Sequence, residues 1–184
     1  MKNEATSPYS LRVDFVSPEA LPTPGRLGLT RAPGRYAEGR SFDSDERLRE
    51  DLESIAQMHG ASVLVTLLEQ HEIAKLGRID LAARKAGLRW RRFPIPDVHI
   101  PASITATGKL VSDLLRVLEQ GETVVIYCWG GLGRTGTIAA CVLVAAGSAP
   151  ADAIRHVRAA RPGAVEVASQ EAFVHEFAVW HGAR

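Results

Sequence analysis

The sequence predicts an α/β domain with a central, mostly parallel β-sheet flanked by helices. Short apolar runs of strand length alternate with longer segments of helical periodicity, an order typical of parallel sheets. One apolar run, 123–127, leads through a glycine-rich segment into another apolar run of helical length. The 184 residues contain no repeat, low-complexity tract or linker that would divide them, so we expect a single domain.

In the N-terminal half, the predicted elements alternate after an irregular start. Residues 1–41 are rich in Pro, Gly and Arg, which indicates turns and extended chain, with an edge strand over 11–15. We therefore expect an extended N-terminal segment at 1–24 and the domain at 25–184. Apolar patterns of helical spacing, each followed by a glycine, predict helices over 44–58, 69–76 and 79–86. Strands are predicted over 61–67 and 88–93.

The C-terminal half contains the predicted central strand. An amphipathic helix is predicted over 104–118 and is followed by the strand 123–127. The run 137–146 is apolar on all sides, as an interior helix would be, and two more helices are predicted over 150–160 and 169–181. Ligands of parallel sheets bind beyond the carboxyl ends of strands, and Cys128 lies at such an end.

The segment that follows the central strand has the composition of an anion-binding loop. Glycines let successive backbone N–H groups turn inward, and the N-terminus of the next helix attracts negative charge. Cys128 would lie beneath this cradle, where the same field stabilises a thiolate. We predict that phosphate is bound by the N–H groups of Trp129, Gly130, Gly131, Leu132 and Gly133 and by a bidentate contact from Arg134.

The motif of Cys128, five residues and Arg134-Thr135-Gly136 resembles the signature of the protein tyrosine phosphatase superfamily. Over about residues 25–180, the chain is most similar to the kinase-associated phosphatase branch of the dual-specificity group. The segment 93–97 resembles the mobile acid loop of the family, and 163–170 resembles the segment with its water-positioning glutamine. The resemblance implies a cysteine phosphatase fold. It also implies a phosphatase that acts on phosphotyrosine, phosphoserine and phosphothreonine through a phosphocysteine intermediate.

The resemblance also implies a role for each candidate catalytic residue. Cys128 is the nucleophile, and Thr135 hydrogen-bonds its sulfur or instead caps the helix start. Asp97 is the general acid, with His99 as the second choice, although a turn between prolines suits an aspartate equally well. Gln170 positions the attacking water or is an exposed amide in the first turn of the last helix.

The residue before the nucleophile and a group of arginines on a predicted strand are two further features of the sequence. The family commonly has histidine before the nucleophile, and this chain has Tyr127, whose hydroxyl can still hydrogen-bond nearby backbone groups. Arg89, Arg91 and Arg92 could attract phosphorylated substrate, but such a cluster is more often a solvated strand face.

Composition argues against several other function classes. The net charge of +1 gives no general attraction to nucleic acid or membrane, and no apolar run reaches transmembrane length. Two cysteines form no disulfide framework; Cys141 is expected in the core, and we expect a cytoplasmic protein. The histidines show no metal-ligand spacing. We therefore expect neither metal nor cofactor. The family resemblance implies a phosphorylated protein or peptide as the partner.

Three alternatives use the same loop differently. The segment 131–136 fits a dinucleotide pattern with Asp152 about twenty residues on, but Asp152 lies at a helix start instead of a strand end. Arsenate reductases and sulfurtransferases also use a cysteine in a small anion loop, although a reductase needs further thiols. The non-enzyme alternative is a pseudophosphatase that binds phosphopeptide without cleaving it.

Overall fold

The structure is a computed structural model that describes residues 11–35 and 44–183. Helices cover both faces of a five-stranded sheet with the strand order β1-β2-β5-β3-β4. The strands are β1 (Asp14–Phe15), β2 (Arg26–Arg31), β3 (Ala61–Thr66), β4 (Arg89–Arg92) and β5 (Thr123–Cys128). The helices are α1 (Ser44–Gln57), α2 (Gln70–Ile73), α3 (Ile79–Lys85), α4 (Ile104–Glu119), α5 (Gly133–Ala145), α6 (Pro150–Ala160) and α7 (Ala168–Gly182).

The strand register brings the ends of three strands together at one edge of the sheet. β5 is central and runs parallel to both of its neighbours, β2 and β3. Cys128 lies opposite Arg31 at the end of β2, and Tyr127 lies opposite Thr66 at the end of β3. The segments after these strands therefore leave the sheet at the carboxyl ends of the strands, where ligands of parallel sheets bind.

The predicted mostly parallel sheet flanked by helices is confirmed, with two local differences. For 26–31 the sequence predicts turns and extended chain, because the segment mixes arginines and a glycine with few apolar residues. It forms β2, which pairs with β1 and with the buried strand β5. In addition, α5 begins at Gly133, before the apolar run that predicts it, so Arg134 lies in its first turn.

The described part of the N-terminal segment packs into the same core as the rest of the domain. β1 pairs antiparallel with β2 at the edge of the sheet. Residues 1–10 lie outside the described residues, and the predicted boundary at residue 24 stays a prediction. The buried side chains of this part are Leu11, Val13, Val16, Ala20 and Leu21.

The core is built around β5 and α5. All six residues of β5 are buried, as expected for a strand between two parallel neighbours with helices on both faces. α5 is buried along most of its length and includes Cys141, which confirms the prediction that this cysteine belongs to the core. Burial raises the pKa of the Cys141 thiol. Within the described ranges, no helix has the length and apolar character needed to cross a bilayer.

Candidate active site

The candidate nucleophile lies at the end of the central strand, directly before the glycine-rich loop. Cys128 is the last residue of β5, and residues 129–132 connect it to α5. Its side chain is buried, and its Sγ accepts a hydrogen bond from the Gly131 N–H at 3.2 Å. A hydrogen bond from the loop to the sulfur stabilises negative charge there.

The backbone of the loop is oriented by hydrogen bonds to its carbonyl groups. Each carbonyl from 129 to 132 accepts a hydrogen bond from a group beyond the loop. Because the N–H and C=O of a planar trans peptide point in opposite directions, the contact of Arg161 with the Gly130 carbonyl turns the N–H of Gly131 toward the Cys128 sulfur. The donors are Ala32 N–H to Trp129 (3.2 Å), Arg161 to Gly130 and Gly131 (2.9 and 2.6 Å) and Gly136 N–H to Leu132 (2.7 Å).

Two glycines, one in the loop and one at the start of α5, are closely approached by neighbouring groups. Gly131 has a φ of +74°, and a Cβ there would collide with the Thr30 carbonyl at the end of β2. A Cβ at Gly133 would collide with the Glu166 carboxylate and the Gln170 side-chain amide. The tight loop therefore depends on its close approach to β2 on one side and to the residues around α7 on the other.

Arg134 is buried beside the loop, but its guanidinium is bound differently from the prediction. It forms a bidentate pair with the Glu72 carboxylate at 2.7 and 2.9 Å and donates to the Ile95 carbonyl at 3.1 Å. A further contact, at 2.8 Å, joins its Nη2 to Asp97 Oδ1. The bidentate contact that the sequence assigns to phosphate is thus made here to Glu72, because both carboxylate oxygens match the guanidinium fork.

The Arg134–Glu72 pair is ionised. Burial opposes both charges. For Glu72, the hydrogen bonds from Arg134 and from the Glu69 N–H outweigh burial and lower its pKa. For Arg134, the Glu72 hydrogen bonds and the electrostatic interactions with Cys128, Glu72 and Asp97 outweigh burial and raise its pKa. Glu72 therefore holds the Arg134 guanidinium in place and keeps it protonated.

Asp97 lies where a mobile acid loop would meet the cradle. Its side chain is 69% exposed, and one carboxylate oxygen contacts Arg134. Val98, the next residue, has a φ of 60°, a strained conformation for a β-branched side chain and one that concentrates at functional sites. The runner-up acid, His99, is exposed and contacts the Asp97 carbonyl through Nδ1 at 2.6 Å. The structure therefore brings Asp97, and not the His99 imidazole, into contact with Arg134.

Gln170 and Glu166 lie against Gly133, at the start of α5. Gln170 is fully buried, so it is not an exposed amide; its Nε2 donates to the His99 carbonyl at 3.3 Å, and its Oε1 accepts from the Glu166 N–H at 3.0 Å. The Glu166 carboxylate accepts the Gly133 N–H at 2.7 Å. Sequence reasoning missed Glu166, although it lies in the quoted segment 163–170. An acidic residue three positions after Gly163 is its only local signal.

The predicted hydrogen bond from Thr135 to the Cys128 sulfur is absent. The Thr135 hydroxyl is buried and has no hydrogen-bond partner among the residues that the structure describes. It caps no backbone group either, because α5 already begins at Gly133, two residues earlier. The sulfur accepts from Gly131 instead.

Tyr127 supports the sheet instead of the loop. Its hydroxyl accepts a hydrogen bond from Thr66 Oγ1 at 2.6 Å, and Trp90 donates to the same Thr66 oxygen at 2.7 Å. The partner is thus a side chain on the neighbouring strand, and not the backbone of the loop. Burial raises the pKa of Tyr127, so the phenol is neutral.

A charged pair that sequence reasoning missed holds the loop from outside. Arg161 follows α6, and besides its two bonds to the carbonyls of Gly130 and Gly131 it forms an ion pair with Asp14 at 2.6 Å. Asp14 lies on β1, and both side chains are largely buried. The sequence gives no signal for this pair, because its members are 147 residues apart.

Other candidate residues lie away from this site or have other partners. Arg89 and Arg91, on the edge strand β4, form surface ion pairs with Glu122 and Asp113, which favours the solvated-face interpretation. Contrary to the expectation for the histidines, His71 lies with two carboxylates at metal-ligand spacing, within 4.8 Å. Those carboxylates belong to Glu69 and Glu72, and the Glu72 oxygens already accept from Arg134.

Comparisons with known proteins identify the family. Residues 40–148 match the family model described as "Polymorphic toxin system, DSP-PTPase phosphatase". The chain belongs to the dual-specificity protein tyrosine phosphatase family. It is 33% identical to cyclin-dependent kinase inhibitor 3 of Sus scrofa over 158 residues, which are 82% of this chain and 71% of that protein.

Some relatives are much longer than this chain. It is 34% identical over 130 residues to protein tyrosine phosphatase domain-containing protein 1 of Bos taurus, and 39% identical over 97 residues to that of Mus musculus. The matched residues are 65% and 52% of this chain but span only 16% and 13% of those two proteins.

Solved structures share the fold of this chain. Kinase-associated phosphatase with its catalytic-site cysteine replaced by serine superimposes with a TM-score of 0.84 at 23% identity, covering 97% of this chain and 99% of that one. Tk-PTP in its active form gives a TM-score of 0.71 at 27% identity, covering 91% and 96%.

Proposed function

We propose that this protein is a phosphoprotein phosphatase that hydrolyses phosphotyrosine, phosphoserine and phosphothreonine through a phosphocysteine intermediate. The observation that supports this most is the loop geometry. The Cys128 sulfur accepts the N–H of Gly131 from the loop and interacts electrostatically with the buried guanidinium of Arg134. Inward N–H groups and a fixed cation are what a transferring phosphoryl group needs.

In the first proposed step, the Cys128 thiolate attacks phosphorus while the bond to the leaving oxygen breaks. The loop N–H groups and the Arg134 guanidinium stabilise the equatorial oxygens. Asp97 donates a proton to the leaving oxygen, so an alcohol or a phenol departs and phosphocysteine remains.

In the second proposed step, a water that Gln170 positions attacks the phosphorus, and the Asp97 carboxylate accepts its proton. The P–S bond breaks, inorganic phosphate forms and the thiolate returns. The Thr135 hydroxyl, which has no partner among the described residues, is available to donate to the departing sulfur.

A bound phosphate would compete with two carboxylates of the protein. Asp97 contacts Arg134, and Glu166 accepts the N–H of Gly133, a predicted phosphate ligand. Phosphate oxygens would replace both carboxylates on these donors, because a phosphate and a carboxylate at the same donor would repel each other. Displacement from Arg134 would free Asp97 for its role as general acid.

The test is turnover of p-nitrophenyl phosphate by the wild type and by Cys128→Ser. We expect the wild type to turn over without added metal, to be insensitive to chelator and to be inhibited by vanadate. Cys128→Ser should be inactive yet folded, because a serine hydroxyl is far less ionised than a thiol. Activity of that variant near wild type would overturn the mechanism, and a wild type that binds phosphopeptide without turnover would be a pseudophosphatase.

Two other proposals follow from the chemistry of the thiol. The protein acts in a reducing compartment such as the cytoplasm, where Cys128 stays reduced. An arsenate reductase is disfavoured because Cys141, the second thiol of the sequence, is enclosed in the core and remote from any resolving role.

A further inference from the structure

We propose that Arg35 and Lys75, both held at the ring of Trp129, form a second anion-binding subsite beside the loop. The preferred phosphopeptides would then carry an acidic side chain next to the phosphorylated residue. We call Arg35, Lys75 and Trp129 the basic rim. The proposal rests on the proposed function, since it names the substrate class of the same site.

The topology explains why these three residues meet. Trp129 directly follows Cys128, and consecutive Cα atoms are about 3.8 Å apart, so its ring begins beside the nucleophile. Arg35 lies in the segment after β2, and Lys75 lies just after the short helix α2 that follows β3. Because β2 and β3 flank β5, both segments leave the sheet beside the loop.

The geometry fixes both cations at the ring. The Arg35 guanidinium carbon lies 5.4 Å from the centroid of the Trp129 ring, and its Nη1 donates to the Trp129 carbonyl at 3.2 Å. The Lys75 ammonium lies 5.8 Å from the same centroid. Both distances are within the range of cation–π attraction. An aromatic ring at the first position of the loop thus gathers positive charge from two separate segments.

Among the residues that the structure describes, no acidic side chain neutralises the charge of the basic rim. Neither Arg35 nor Lys75 forms an ion pair with a carboxylate in the ranges 11–35 and 44–183. Nearby Arg47, in contrast, pairs with the buried Asp51. Arg31 adds positive charge and donates to the Arg35 carbonyl at 2.7 Å, which fixes the turn that carries Arg35. A substrate group that lies over this rim would therefore gain most from being anionic.

The test measures binding of two phosphotyrosine peptides of equal length to full-length Cys128→Ser. One peptide has Glu on each side of the phosphotyrosine, and the other has Gln. Exposed charge pairs make small contributions each, so two contacts predict a preference for the Glu peptide of about 2- to 30-fold in Kd. The preference should shrink as salt is raised, because salt screens exposed charges.

The decisive comparison uses two double variants with the same change in net charge. Arg35→Met/Lys75→Met in the Cys128→Ser background should reduce the ratio of the two Kd values to about one. Lys85→Met/Lys109→Met, which removes exposed cations from α3 and α4, should keep the ratio. The ratio is the readout because any damage to the loop from losing the Arg35 hydrogen bond weakens both peptides alike.

The outcomes separate this proposal from the proposed function. An unchanged ratio in the Arg35/Lys75 variant, equal loss in the control, or a Glu peptide that binds as well without its phosphate would each overturn the subsite. If wild-type protein fails to turn over p-nitrophenyl phosphate but the ratio behaves as expected, the subsite stands and the enzyme proposal fails. If turnover is normal and the ratio is one in every protein, only the subsite fails.

Discussion

Replacing Arg161 should disable the loop without touching any group that contacts phosphate. Arg161 donates to the carbonyls of Gly130 and Gly131 at 2.9 and 2.6 Å and pairs with Asp14 at 2.6 Å. With exposures of 15% and 8%, the two charged side chains are shielded from water, so their interactions count nearly in full. If the Gly130 carbonyl is released, its peptide can rotate and the N–H of Gly131 no longer points at the sulfur.

The size of the effect follows from these contacts. Arg161→Met leaves Asp14 with the exposed Arg12 as its ionic partner. A buried charge that loses every partner costs about 3–5 kcal/mol of unfolding free energy, which is the upper bound here. A typical domain has only about 5–15 kcal/mol in total, so this variant can fail simply by unfolding. Arg161→Lys is the sharper change, because it keeps the charge for Asp14 but has no planar fork to bond both carbonyls at once.

We expect Arg161→Lys to stay folded, with kcat for p-nitrophenyl phosphate lowered about 10²-fold, the size of effect seen when one oxyanion donor is lost. Vanadate affinity should fall together with kcat. Urea unfolding separates a loss of loop function from a loss of stability. Arg155→Met is the control, since Arg155 is on α6 and pairs with Asp152 at 2.8 Å on the exposed surface. Wild-type kcat and vanadate affinity in Arg161→Lys would refute the argument that these carbonyl contacts aim the N–H groups.

Three further predictions concern side chains around the loop. Asp97→Asn should lower kcat about 10²- to 10⁴-fold for phosphothreonine peptides and clearly less for p-nitrophenyl phosphate, whose leaving group needs no proton; the same pattern in His99→Asn instead would transfer the acid role to His99. Glu166→Gln should tighten vanadate binding about fivefold or more, because it removes a negative charge next to the anion; equal vanadate affinity by titration would contradict the competition. Tyr127→Phe should lower the unfolding free energy by about 1 kcal/mol, through loss of the Thr66 hydrogen bond, and leave kcat/KM unchanged. A loss of kcat/KM in that variant, with stability intact, would mean that the Tyr127 hydroxyl supports the loop after all.

The sequence could predict the parts of this site that depend on short-range chain geometry. A strand, a run of glycines and a helix follow one another within a few residues, so the position of Cys128 at the loop and the Gly131 N–H at its sulfur follow from local backbone rules. The same holds for most helices and strands, whose apolar periodicity reports which face is buried. β2 shows the limit of that signal, because Arg26–Arg31 becomes a strand through pairing with β1 and β5 and not through its own composition.

Only the tertiary structure decided which charged groups meet at the loop. Arg134 pairs with Glu72 across 62 residues, Gly133 binds Glu166 across 33, and Arg161 binds Asp14 across 147. Any exposed arginine can satisfy its charge in water, so sequence spacing carries no information about its partner. The partner is selected when folding excludes water, because a buried charge is tolerated only beside an opposite charge or a hydrogen-bonding group. The anion-binding loop could therefore be predicted from the sequence. The carboxylates of Asp97 and Glu166 that occupy its donors, and the Arg161–Asp14 pair that supports it, could be found only from the tertiary structure.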